Sequence, residues 1–120
     1  MNKLTSEQIL ELLGGETTIE DPSAKQLLAM CQDPDVKISE GEVPRAILLQ
    51  TYTIRRHHAR GDEAVLSTII SVLESYEGDF VRIVAISTPR SAGGLLVTAE
   101  GTLLAVMANE YASNRRVRPR

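Results

Sequence analysis

The strongest constraint on how this chain folds is a helical stripe that runs directly into a strand. Val65, Leu66, Ile69, Val72, Leu73 and Tyr76 recur at the three-and-four spacing that puts apolar side chains on one face of an α-helix. Gly78 ends the pattern, and residues 80–87, FVRIVAIS, follow with the β-branched richness of a strand. A helix and a strand that both need burial, joined by a few residues, call for a layered core with helices on a sheet.

The segments before this stripe read as helices. Thr5 and Gln8 have capping-box spacing for a helix from Ser6 to about Leu13, with Gly14-Gly15 as its stop. Asp21 caps a second helix that has Pro22 in its first turn and runs to about Cys31. Ser39 and Glu42 repeat the capping spacing, but a helix starting there would lose a bond at Pro44, so the third helix is placed from near Val43 to about Arg60. Ile47, Leu48, Thr51, Ile54 and His58 share one side of it, and Gly61 ends it.

After the strand, TPRSAGG reads as a connection. Residues 95–111 then fit either a hairpin turning at Glu100-Gly101 or a strand followed by a helix from about Gly101 to Ser113. The hairpin is preferred, with residues 102–113 left open between strand and helix. The expected fold class is α+β: about four N-terminal helices, then a small antiparallel sheet covered by them on one face. Its open edge strands suggest pairing of two copies, hence a homodimer or higher homo-oligomer.

The 120 residues suit a single domain over 1–113 with a basic, flexible tail at 114–120. Hydrophobic residues at 42% and charged residues at 24% place the chain among globular proteins rather than disordered ones. No apolar run reaches the length of a membrane span, and a lone cysteine, Cys31, suits a reducing compartment. A soluble, cytoplasmic protein is expected. Aromatic residues are 3% of the chain, too few for base-stacking platforms or methyl-lysine cages.

Charge is uneven. Residues 1–44 carry three lysines against nine acids, and the remainder carries ten arginines against seven acids. Such asymmetry can steer an anionic partner or promote head-to-tail association. Arg56 and Arg60, four apart on a helix and beside Thr53, would form a cup for phosphate or carboxylate; a helix C-terminus also attracts arginines through its dipole. Arg90 lies in the 88–94 connection, where an amide nest could hold an anion, although an ordinary connection explains the same residues. Arg115, Arg116, Arg118 and Arg120 crowd the tail, where they would bind phosphates without reading sequence.

His57 and His58 point about 100° apart on a helix and do not converge on one metal. Cys31 has no ligand spacing, so no metal or cofactor is expected. Arg60-Gly61-Asp62 spells an adhesive tripeptide but joins two helices. No Walker, GxGxxG, GxSxG or HExxH motif occurs, and Glu74, Glu77 and Asp79 read as a solvated acidic patch. The expectation is a small non-enzymatic interaction or regulatory protein that binds a protein partner, of the accessory or inhibitor kind that viruses of bacteria also carry. The alternative is an anion-binding module for nucleic acid or a phosphorylated or nucleotide ligand, using Arg56, Arg60, Arg90 and the tail arginines.

Overall fold

A computed structural model describes residues 6–12, 22–108 and 111–113. Helices α1 (Ser6–Leu12) and α2 (Pro22–Cys31) come first, then strand β1 (Lys37–Pro44) and helices α3 (Arg45–His57) and α4 (Glu63–Ser75). Strands β2 (Phe80–Ser87), β3 (Ala92–Val97), β4 (Leu103–Ala108) and the short β5 (Tyr111–Ser113) complete the order. The class is α+β, with one antiparallel sheet ordered β1-β2-β3-β4-β5.

Two expectations need correction. Residues 37–44 form a strand rather than the approach to a helix, so helices and strands interleave instead of all helices preceding the sheet. KISEGEVP has few residues that favour strands, but it pairs with β2 from Lys37 opposite Ser87 to Pro44 opposite Phe80. A strongly apolar neighbour supplies the ladder that local propensity does not. The helices also cover both faces of the sheet rather than one. Ile9, Ala24, Leu27 and Met30 from α1 and α2 pack on Val84, Ile86, Leu95, Val97 and Val106. Leu48 of α3 and Ile69, Val72 and Leu73 of α4 pack on Val81, Leu96, Leu104 and Ala105.

Alternation along the strands produces these two cores. In β2, Val84 and Ile86 face α1 and α2, whereas Val81 and Ile83 face α3 and α4. The near-continuous burial of Leu95 to Val97 and Leu103 to Val106 is what strands with two covered faces require. Residues 103–108 are therefore strand, and the hairpin at Glu100-Gly101 is the reading that holds. Thr98 organises that turn: its N–H donates to the Thr102 carbonyl, its hydroxyl accepts the Thr102 N–H, and Gly101 takes a φ of 91°.

Gly93 lets α2 approach the sheet. A Cβ there would lie 2.5 Å from the Met107 carbonyl and 2.7 Å from Leu27 Cδ2. On the same face Arg82 and Glu40 form an ion pair at 2.7 Å, with side chains 18% and 5% exposed. They are diagonal neighbours across β1 and β2, and sliding either strand would leave a charge buried without its partner.

The expected Thr5 cap, Gly14-Gly15 stop, Asp21 cap and the arginines of residues 114–120 lie outside the described residues. Among the described residues, no helix is long and apolar enough to cross a membrane.

Candidate functional site: the outer face of helix α3

α3 and α4 form a helical hairpin that connects β1 to its neighbour β2. Arg45 closes the base of the hairpin. Its Nη1 donates to the Leu73 carbonyl at 3.0 Å and its Nε to the Gly78 carbonyl at 3.2 Å, satisfying acceptors at and beyond the end of α4. Its backbone N–H donates to the Asp79 carbonyl at 2.8 Å. The C-terminus of α4 and the start of β2 are thereby held beside the N-terminus of α3.

Held this way, α3 turns Leu48 inward, with Leu49 and Tyr52 partly buried against the same core. Burial pushes the Tyr52 hydroxyl pKa up from its ordinary value, and the nearby Arg55 guanidinium pulls it partly back. That guanidinium lies 5.5 Å from the ring centroid, and the hydroxyl donates to Met107 Sδ at 3.8 Å.

The opposite face of α3 is exposed. Ile47 and Ile54 are each 54% exposed, and Gln50, Thr51, Thr53, His57 and His58 are exposed with them. The Ile47, Thr51, Ile54 and His58 stripe, which reads as core-facing in the sequence, therefore looks outward, with only Leu48 of that group buried. Thr51 Oγ1 donates to the Ile47 carbonyl and Thr53 Oγ1 to the Leu49 carbonyl, at 2.9 and 2.8 Å. Both hydroxyls are thus occupied by the helix itself, and the face is less polar than its composition suggests.

The expected anion cup is not assembled as a helical pair. α3 ends at His57, with His58 as its C-cap, so Arg60 lies beyond the helix and does not stack one turn above Arg56. Arg56 reaches Ser67 at 3.4 Å and lines an open concavity with Thr53, Ile54, His57 and His58. Arg60 lines a separate one with Arg55, His58, Ala59, Asp62 and Leu66. Arg90 is well away in sequence and fold, in the β2–β3 connection. There the Thr88 hydroxyl already accepts the N–H groups of Arg90 and Ser91, so those amides are not free for an anion. The tail candidates Arg115, Arg116 and Arg118 lie outside the described residues.

The two histidine rings meet edge to face at 5.2 Å, and among the described residues no cluster of three or more metal-ligating side chains occurs. Cys31 is half-buried at the end of α2. Glu74, Glu77 and Asp79 are exposed at the Arg45 end of the hairpin. Sequence reasoning missed Arg45 altogether; its only signal was a position just after Pro44, at the start of the helix.

Among the described residues, fold and surface define a small α+β domain with two buried cores and a helix face on which Ile47 and Ile54 are half-exposed. Comparison with protein-family models, curated proteins and solved structures finds no match to this chain.

Proposed function

We propose that this protein acts by binding another protein chain through the outer face of α3, without catalysing a reaction. The observation that supports the reading is the half-exposure of Ile47 and Ile54, two turns apart on one helix; among the described residues the other large apolar side chain so exposed is Phe80, at the start of β2. Each isoleucine leaves apolar surface in water that a partner would remove at about 25 cal/mol per Å². Uncharged Gln50, Thr51 and Thr53 between them add no charge to desolvate.

Anion binding has less support. Arg56 and Arg60 line different concavities, and the Arg90 loop uses its own amides internally. The two readings separate in one experiment. Protein carrying a photo-crosslinker at Gln50 should capture a protein chain after nuclease treatment, and Ile54→Glu should remove the adduct without changing the melting temperature. An adduct that contains only nucleic acid, or one indifferent to Ile54→Glu, would overturn the docking reading.

A further inference from the structure

We infer that the cleft between α1 and the sheet binds a free α-amino acid with an apolar side chain. The cleft lies on the opposite side of the sheet from α3, so the inference stands apart from the docking reading. Gln8, Glu11 and Leu12 of α1 line one side of it, and Gly101 of the β3–β4 turn closes the end. Arg82 and Val97, paired across β2 and β3, line it from the sheet. Its volume of about 380 Å³ falls within the range of small-molecule sites.

What carries the inference is a donor left unmet. A guanidinium has more N–H groups than one carboxylate oxygen can accept. Arg82 Nη2 donates to Glu40 Oε1 at 2.7 Å, whereas Nε is the buried side-chain nitrogen or oxygen that, among the described residues, has no hydrogen-bond partner. A buried charged group with spare donors calls for a further acceptor. The Arg82 side chain is 18% exposed and lines the cleft, so a carboxylate bound there gives the guanidinium the second acceptor that the fold lacks.

The charges around Arg82 select the class of ligand. Glu40 already balances Arg82, Glu11 lines the same cleft, and Glu42 stands exposed opposite Arg82 on β1. A simple carboxylate would meet these acids with no cation of its own, and a simple amine would leave the Arg82 donors unmet. A zwitterion answers both, with its carboxylate on Arg82, its ammonium toward Glu11, and an aliphatic side chain against Leu12 and Val97. Both charges must sit close together to share one cleft. A free amino acid provides that, and a peptide with its termini apart does not.

Hydrogen–nitrogen correlation NMR of the full chain tests this with L-leucine as the probe. Titration to about 20 mM covers the millimolar affinity expected of so small a ligand in an open cleft. Saturable shifts should appear at the Arg82 Nε–H and at the amides of Leu12, Val97 and Gly101. Isocaproate, which is leucine without its amino group, and isopentylamine, which is leucine without its carboxylate, should each bind about tenfold more weakly, because each loses a charge-assisted contact. Glu11→Gln, at an exposed position, should weaken leucine about tenfold and leave isocaproate no weaker. Arg82→Lys keeps a cation beside Glu40 but removes the spare donors, and should weaken leucine by a similar factor while leaving isopentylamine unchanged. Glu11→Gln decides the ammonium half even where Arg82→Lys does not fold.

Absence of saturable shifts at the cleft, isocaproate or isopentylamine binding as tightly as leucine, or leucine binding indifferent to either substitution would overturn the inference.

Discussion

α3 and α4 have the same length, 13 residues, and lie side by side in one hairpin, yet they use their apolar residues in opposite ways. α4 buries Leu66, Ile69, Ile70, Val72 and Leu73, whereas α3 fully buries only Leu48 and leaves Ile47 and Ile54 half in water. Composition separates them in part, since both carry isoleucines and leucines at helical spacing but α4 is the more apolar and α3 carries Arg45, Arg55 and Arg56. Position adds the rest. α4 lies against β4 and β5, while α3 packs chiefly on α4 and β1 and reaches β4 through Tyr52. A helix at the margin of the core buries one side, and among the described residues its Ile47 and Ile54 side stays half-exposed.

The contrast can be broken most directly at Leu73, which is 0% exposed. Leu73→Ala should cost about 2 to 5 kcal/mol in denaturant unfolding, while Ile54→Ala should stay within about 0.5 kcal/mol of the parent. Equal costs at the two positions would mean that α3 buries more in solution than its exposure implies. A smaller effect is expected at the joint between the helices. Arg45→Met removes the donors to the Leu73 and Gly78 carbonyls and should cost about 1 to 3 kcal/mol, with the loss appearing as faster amide exchange at the end of α4.

The smallest effect belongs to Tyr52, the residue by which α3 reaches the core. Its folded pKa is raised by burial, so the phenol stays protonated in the folded state where the unfolded chain would already ionise. The associated stability is fully present below the unfolded value of 10.0 and is lost as pH rises through the folded value. Thermal melts of the parent should therefore fall off more steeply above pH 10.0 than those of Tyr52→Phe. Parallel alkaline profiles would show that the hydroxyl is not buried in solution.

Much of the fold was legible from residue pattern. The stripe of Val65 to Tyr76 and the strand 80–87 lie where spacing and β-branching put them, and the Glu100-Gly101 turn separates two strands. The first strand was not legible, because Glu40, Gly41, Glu42 and Pro44 speak against a strand locally and only pairing with β2 makes one. The candidate site was legible in its residues but not in its orientation. Ile47, Thr51, Ile54 and His58 do share one side of a helix, but spacing says only that residues lie together, not whether the shared side meets a core or water. The helical stacking expected of Arg56 and Arg60 is absent for a related reason: α3 ends at His57, three residues short of Arg60, and the stacking depended on that last turn.

Sequence by itself determined the helical character of residues 63–75, the strand at 80–87, the α+β class and the uneven charge, because each is a local or compositional property. Tertiary structure alone decided that KISEGEVP is a strand, that the sheet has two covered faces, and that the isoleucines of α3 point away from the core. Those outcomes depend on contacts between residues distant in the chain, whose energies outweigh local propensity and leave no trace in local spacing.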